Sequence, residues 1–340
     1  MGNTRKQGIF ILKMPWQFRI RYWDAGWQSL HGAEHADVLA GKQAIKIEHD
    51  QKPVGKLADT GNIVGFNSGH NWRRRPDCAC GNTQNLRNGI HHKTNYDGIA
   101  VSYTHLLLVQ DRQEGSQATI ADVDLAVDLP ASLKGTHMSR LVEALDNFDE
   151  VLTHTSLRRL LGNIRLNLLA SCAFARFSFP FLVRKAAPAT GKPGRVACAC
   201  VIEGKLDEHG QTLVLRTATP VMTVCPCSMA ISSVGAHSQR ATVSLEMGID
   251  GLFWIEEFIE ISEVSASSAV YSLLKREDEK MVTEKAFSNP MFVEDVARNV
   301  SARLLEHPRV LWFSAEVESL ESIHGHNAFA RIEHDKTKRN

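Results

Sequence analysis

The sequence predicts an α+β fold in which mostly antiparallel strands alternate with helices. From about residue 97 onward, alternating apolar and polar residues mark strands, and apolar residues at helical spacing mark helices. The predicted order is two strands, two helices and two strands, given twice, without a sequence repeat. Short polar turns between the strands favour hairpins over long βαβ crossovers.

Up to residue 220 the sequence predicts five strands and two helices, and the fifth strand begins the second round of this order. The strands cover 99–110, 118–129, 176–184, 195–204 and 212–219. Pro130 closes the second strand, and the polar run 207–211 predicts a turn. The first helix covers Leu141 to Phe148, with Thr136 or Ser139 as its cap, and the second covers 156–175.

The second half shows a similar succession of elements. A strand is predicted over 241–248, and final strands over 310–320 and 328–334. Helices are predicted over 252–264 and 292–305, and Pro308 stops the latter. We therefore divide the patterned region into a first module, 97–220, and a second module, 221–336.

Residues 1–96 differ from the rest because no period of 2 or 3.6 runs through them. The basic and aromatic piece 71–76 favours a solvated, poorly ordered segment over a nucleic-acid patch. We interpret 1–96 as an atypical amino-terminal segment, either disordered or the result of a misassigned start, and assign it no function.

The composition is that of a globular protein, with 340 residues, 43% of them hydrophobic and 23% charged. The formal net charge of +1 excludes bulk electrostatic attraction to nucleic acid or anionic membranes. Because no run approaches the roughly 20 apolar residues that span a bilayer, the expected compartment is the cytoplasm.

The chain contains seven cysteines, which favours reduced thiols over a disulfide framework because the number is odd and no secretion signal precedes them. Six of them form Cys-x-Cys pairs: Cys78 and Cys80, Cys198 and Cys200, Cys225 and Cys227. The middle pair continues an alternating run from Val196, which predicts burial on one strand face. For the others, metal binding, catalysis and burial stay open.

Four clusters are candidates for chemistry. The sharpest is Cys225-Pro226-Cys227-Ser228 with His237 downstream, because thiolates and imidazoles are ligands that Zn²⁺ and neighbouring metals accept. The others are 274–280, 289–295 and 321–326, whose alternatives are a solvated loop, helix capping and exposed histidines. Phosphate-binding glycine loops, His-Glu-x-x-His and Gly-x-Ser-x-Gly are all missing from the sequence.

In this order, the clusters resemble the type IB GTP cyclohydrolases. The matching stretches are 134–140, 181–185, 225–228, 235–237, 274–280, 292–295 and 321–324, and the resemblance covers about residues 105 to 335. It implies a tunnelling fold (T-fold) of two tandem modules, each an antiparallel sheet backed by two helices, assembled as a homotetramer.

The resemblance also implies hydrolysis of GTP to 7,8-dihydroneopterin 3'-triphosphate and formate, the first step of tetrahydrofolate and pterin biosynthesis. It implies a divalent metal, for which Zn²⁺, Mn²⁺ and Fe²⁺ all suit the ligands. The alternatives are a GTP cyclohydrolase that forms a cyclic phosphate, a nitrile reductase of the same fold, and an inactive metal-binding homologue.

By motif matching, the implied metal ligands are Cys225, His237 and Glu279, with Cys225 and His324 as the catalytic pair. His324 would act as general acid–base, and Glu294 would accept hydrogen bonds from guanine. The other implied substrate-binding residues are Lys134, His137, Ser139, Arg140 and Arg240. One departure is Ser238, where the family usually shows Asn.

Overall fold

The structure, a computed structural model, describes residues 98–128 and 137–338 and the backbone of residues 9 and 10. The predictions on Cys78, Cys80 and Lys134, and those on nearly all of 1–96, lie outside these residues. Within the described part, no helix is long and apolar enough to cross a membrane.

In the described residues, eleven strands form one continuous sheet. They are β1 Ile9–Phe10, β2 Gly98–Asp111, β3 Gly115–Asp128, β4 Val151–Leu152, β5 Ala173–Ala186, β6 Pro193–Asp207, β7 Gly210–Val224, β8 Ser238–Ile249, β9 Ser268–Ala269, β10 Val310–Ser319 and β11 Ala328–Asp335. The spatial order is β1-β11-β10-β8-β7-β6-β5-β3-β2-β4, and β9 pairs with β7. The strands pair antiparallel except β2 and β4, which are parallel.

The described helices are α1 Met138–Asp146, α2 His154–Leu168, α3 Pro226–Ile231, α4 Ile255–Val264, α5 Arg276–Phe287 and α6 Val293–Glu306. A capping box starts α2, because Ser156 N donates to Thr153 Oγ1 at 3.1 Å and Thr153 N donates to Ser156 Oγ at 2.8 Å. The helix ends earlier than predicted because Leu169 adopts a left-handed backbone with φ of 52°.

The predicted fold class is wrong in its helices, because the described helices do not divide two and two between tandem modules. The sheet runs without interruption from β6 through β7 to β8, and the proposed boundary at 220/221 falls inside β7. Among the described helices, two precede β7 and four follow it. The periodicity located most strands correctly, but the period of a strand does not say which other strand it pairs with.

One apolar core lies between the sheet and the helices. Phe177 of β5 and Leu215 of β7 are fully buried there, as are Leu161 of α2 and Phe258 of α4. Cys198 and Cys200 also face this core and are 1% exposed, which confirms the predicted burial.

The other face of the sheet carries a row of alternating charges. Arg176 Nη1 lies 3.3 Å from Asp124 Oδ2, and its Nε lies 3.3 Å from Glu203 Oε1. Arg216 continues the row with contacts to Glu203 at 2.5 Å and Glu246 at 3.5 Å. The row therefore links β3, β5, β6, β7 and β8 side by side.

Candidate active site

The ends of β7, β8 and β10 lie next to one another and carry the strongest candidate site. Val224, the last residue of β7, pairs with Ser238, the first of β8, and Cys225 N then donates to His237 O at 3.1 Å. On the other side of β8, Leu320 N donates to Arg240 O at 2.9 Å. The loops after β7, before β8 and after β10 therefore meet.

Three side chains on these loops form a group that suits a metal ion. His237, Glu321 and His324 each offer a ligand atom, and these atoms lie within 4.8 Å of one another. The side chains of His237 and Glu321 are 11% and 10% exposed, whereas His324 is exposed. Two imidazoles and a carboxylate are borderline donors that Zn²⁺ and neighbouring divalent metals accept.

A hydrogen-bond network supports this group from behind. His237 Nδ1 lies 2.9 Å from Gln239 Oε1, and Gln239 Nε2 donates to Glu321 Oε1 at 3.3 Å. Ser319 Oγ donates to the same oxygen of Glu321 at 2.8 Å. Because Gln239 and Ser319 belong to the paired strands β8 and β10, the sheet itself holds the network in place.

Cys225 contacts His237 through the backbone but is not a member of the group formed by His237, Glu321 and His324, so its role as a ligand stays a prediction. It is the N-cap of α3, where its Sγ accepts a hydrogen bond from Ser228 N at 3.4 Å. Ser228 Oγ in turn accepts from His237 N at 3.4 Å, so Ser228 bridges the two residues. Pro226 fits the first helical position because that position needs no N–H donor.

Glu294 lies in the first turn of α6, and the start of this helix is close to the end of β7. Met291 N donates to Val224 O at 3.0 Å, which ties the entry of α6 to the end of β7. Asp295 Oδ2 accepts from Phe292 N at 3.2 Å and therefore caps the helix. Capping thus explains Asp295, and the half-buried Glu294 is left for another role.

Glu279 lies on α5 and is exposed, next to the buried Asp278. Asp278 accepts hydrogen bonds from Ala189 N, Thr190 N and Lys275 N at 2.8 to 2.9 Å, and from Thr190 Oγ1 at 2.7 Å. Desolvation acts to raise the pKa of Asp278, but these donors outweigh it and lower the pKa to about 2. Glu279 is not a member of the group formed by His237, Glu321 and His324.

The remaining predicted substrate residues fall in two places. Arg240 is exposed near the start of β8, and its assignment to the triphosphate stays a prediction. His137, Ser139 and Arg140 are exposed at the start of α1, which packs on α2 and β2. Arg140 Nη1 donates to Asn167 O at 2.9 Å, and these α1 assignments stay predictions.

Sequence reasoning gave no role to Glu321 or Gln239. Glu321 stood in a matching stretch, three residues before His324, but its cluster was considered only for its histidines. Gln239 follows His237 by two residues, and on a strand such residues point to the same side. That spacing was the signal that could have identified it.

The site is thus a candidate metal centre of two imidazoles and one carboxylate where three strands end, and Cys225 is not a member of that group. The family profile described as type I GTP cyclohydrolase FolE2 matches residues 83–330. The chain belongs to this family.

Curated relatives agree with this assignment. A GTP cyclohydrolase FolE2 of Desulfovibrio desulfuricans is 58% identical over 240 residues, which covers 70% of this chain and 92% of that protein. Another, of Nitratidesulfovibrio vulgaris Hildenborough, is 55% identical over 238 residues, which covers 70% of this chain and 90% of that protein. Among solved structures, uricase from Arthrobacter globiformis is 10% identical, covers 73% of this chain and 98% of that chain, and has a TM-score of 0.44.

Proposed function

We propose that this protein hydrolyses GTP to 7,8-dihydroneopterin 3'-triphosphate and formate, at the entry to tetrahydrofolate and pterin biosynthesis. Membership of the FolE2 family supports the substrate and the reaction. The structural observation that carries the proposal is the group of His237, Glu321 and His324, supported by Gln239, where β8 and β10 meet. Such a group suits metal-assisted hydrolysis.

The proposed cofactor is a divalent cation, Zn²⁺, Mn²⁺ or Fe²⁺, and its donor set includes His237. The family resemblance adds Cys225 and Glu279 to His237, whereas the geometry adds Glu321 and His324. When bound, such a cation lowers the pKa of water to about 7 and supplies a strong nucleophile at neutral pH. Metal analysis of Glu279→Gln and Glu321→Gln separates the two sets, because loss of a ligand removes the metal.

Glu294 would hold the guanine ring. A carboxylate offers two acceptor oxygens, which match the N1–H and N2–H₂ donors on one edge of guanine. Glu294 lies in the first turn of α6, where a negative charge interacts favourably with the positive end of the helix dipole. Arg240 would contribute positive charge for the triphosphate.

His324 would move the protons. Water adds to C8 of guanine, and its proton passes to the imidazole of His324. His324 then returns that proton to the ring nitrogen that leaves C8, so the imidazole portion opens to a formamide. A second water releases formate, and the ribose carbons close the new ring with loss of water.

The proposed assembly is a homotetramer. Leu106 of β2 and Ile120 of β3 pair directly in register and are 67% and 64% exposed, on the sheet face opposite the core. Contiguous exposed apolar side chains of this kind mark contact surfaces. Light scattering during gel filtration tests the assembly, and a mass of one chain would contradict it.

The activity is tested with protein loaded in turn with Mn²⁺, Fe²⁺ and Zn²⁺ and supplied with GTP. The expected products are formate and a pterin that fluoresces after oxidation. Glu294→Gln should raise KM for GTP while bound metal stays at the wild-type level, because Glu294 would contact guanine rather than the cation. Absence of both products with all three metals contradicts the proposal.

A further inference from the structure

We propose that Gln239 is a positioning residue that holds His237 in the tautomer with its proton on Nδ1, so that Nε2 presents a lone pair to the metal. The inference rests on the proposed function only for what Nε2 binds. The tautomer itself is a property of the metal-free protein.

The assignment begins at the far end of the Gln239 amide. Gln239 Nε2 lies 3.3 Å from Glu321 Oε1, and a carboxylate oxygen accepts hydrogen bonds. The NH₂ group must therefore face Glu321, because the reverse orientation would place two acceptor oxygens against each other. This fixes the carbonyl end of Gln239 toward His237.

The orientation of Gln239 then determines the proton on His237. Gln239 Oε1 lies 2.9 Å from His237 Nδ1 and has no hydrogen, so Nδ1 must be the donor. A neutral imidazole carries a single N–H. Nε2 of His237 is therefore left with its lone pair, as a metal ligand requires.

Glu321 does not replace Gln239 as the partner of Nδ1. Its nearer oxygen to that nitrogen, Oε2, lies 3.9 Å away, beyond hydrogen-bonding distance. Glu321 Oε1 instead accepts from both Ser319 Oγ, at 2.8 Å, and Gln239 Nε2. The carboxylate thus orients the glutamine, and the glutamine orients the histidine.

The energetic consequence concerns metal affinity. Without an acceptor at Nδ1, the proton of His237 is free to move to Nε2 and must be displaced before a cation binds there. Outer-shell partners of metal-binding histidines contribute about 10- to 100-fold to affinity. Gln239→Leu should weaken metal binding by that factor.

The chain contains a matched control in Gln117 of β3. Its Nε2 donates to Asp111 Oδ2 at 2.8 Å and its Oε1 accepts from Leu182 N at 3.0 Å, so it too bridges a carboxylate and an N–H. Both glutamines are half-buried on strands, but the partner of Gln117 is a backbone amide rather than an imidazole. Gln117→Leu should leave metal affinity at the wild-type value.

The first measurement is the tautomer of His237 in metal-free protein, by long-range ¹⁵N–¹H correlation with histidine labelling and with His237→Gln to assign the signals. A protonated Nδ1 and an unprotonated Nε2 are expected in the wild type and in Gln117→Leu, with proton population at Nε2 in Gln239→Leu. A wild-type His237 protonated at Nε2 would overturn the inference, whatever the activity toward GTP.

The second measurement is the dissociation constant for Zn²⁺, by competition with a chromophoric chelator, in Gln239→Leu and Gln117→Leu. Weakening of about 10- to 100-fold in the first variant alone supports the positioning role. Unchanged affinity in Gln239→Leu, or equal weakening in both variants, would show that the glutamine serves only the packing of the sheet end.

Discussion

Two pairs of cysteines with identical Cys-x-Cys spacing lie in opposite environments. Cys198 and Cys200 lie within β6, each 1% exposed, whereas Cys225 is half-buried at the N-cap of α3 and Cys227 is exposed. Burial raises the pKa of Cys198 to about 12, and the negative charge of Glu263 acts in the same direction to a smaller extent. The spacing alone therefore does not define a thiol site.

The position of each pair relative to the strand ends explains the difference. Residues two apart on a strand point to the same face, so both thiols of β6 enter the core together. β7 ends at Val224, and Pro226 starts a helix, which turns the second pair out of the sheet. Because a metal ligand must be a thiolate, only the second pair suits that role.

The largest difference between the two cysteine pairs is expected in bound metal, when Cys225 is replaced. If Cys225 is a direct ligand, as proposed, Cys225→Ala should lower metal affinity by more than about 100-fold, which exceeds the 10- to 100-fold effect of outer-shell partners. Turnover of GTP should fall with it. Elemental analysis of the purified variant measures bound metal, and Cys198→Ala is the control that should keep it. Equal metal content in both variants would remove Cys225 from the ligand set.

Thiol labelling should show the next largest difference. With a pKa of about 12, about one Cys198 in ten thousand is a thiolate at pH 8, and burial blocks access as well. Cys227 should therefore react with iodoacetamide at least about 100-fold faster than Cys198. Peptide mass spectrometry measures the rates and separates each cysteine.

Metal provides the control for that experiment. Loading with Zn²⁺ should slow the labelling of Cys225, a proposed ligand, and leave Cys227 reactive, since residues two apart at a helix start do not face one another. Protection of Cys227 instead of Cys225 would reverse the proposed roles of the two thiols.

The same two regions show what the sequence could predict. Alternation through Val196 predicted the burial of Cys198 and Cys200, because a strand period is local. The backbone contact between Cys225 and His237 is local in the same way, since the two residues flank a short connection between paired strands. Neither of these two local features depends on how distant segments of the chain pack.

Contacts between distant segments could not be predicted in this way. The charged run on α5 had a solvated loop as its simplest interpretation, yet Asp278 is buried because Ala189 and Thr190, on another turn, donate to it. Likewise, Glu321 meets Gln239 because β10 pairs with β8. The continuity of the sheet follows from such pairings and not from periodicity.

Core substitution should give a moderate effect, confined to stability. Cys198→Ala should lower the free energy of unfolding by about 1 kcal/mol, through loss of buried contact and the small cavity left behind. Cys227→Ala, at an exposed position, should change it by less than about 0.5 kcal/mol. Urea unfolding at fixed protein concentration measures both. A larger effect for Cys227 would mean that its exposure in one chain is covered in the assembly.

The smallest effect is expected from pH. Burial raises the folded-state pKa of Cys198 from its usual 9.0 to about 12, so below pH 9 both states hold the proton, and above it only the unfolded chain loses it. The free energy of unfolding of the wild type should therefore fall between pH 9 and 12. Cys198→Ala lacks this thiol, so its free energy of unfolding should not include that decrease. The stability difference of about 1 kcal/mol between the wild type and Cys198→Ala should disappear near about pH 10, where this linkage reaches a similar size.

Urea unfolding from pH 8 to 11 measures this difference in the free energy of unfolding. The corresponding difference between the wild type and Cys227→Ala should stay constant over the same range. A constant difference for Cys198→Ala as well would mean that the Cys198 thiol ionises inside the folded protein, and the contrast between the two pairs would then rest on position alone.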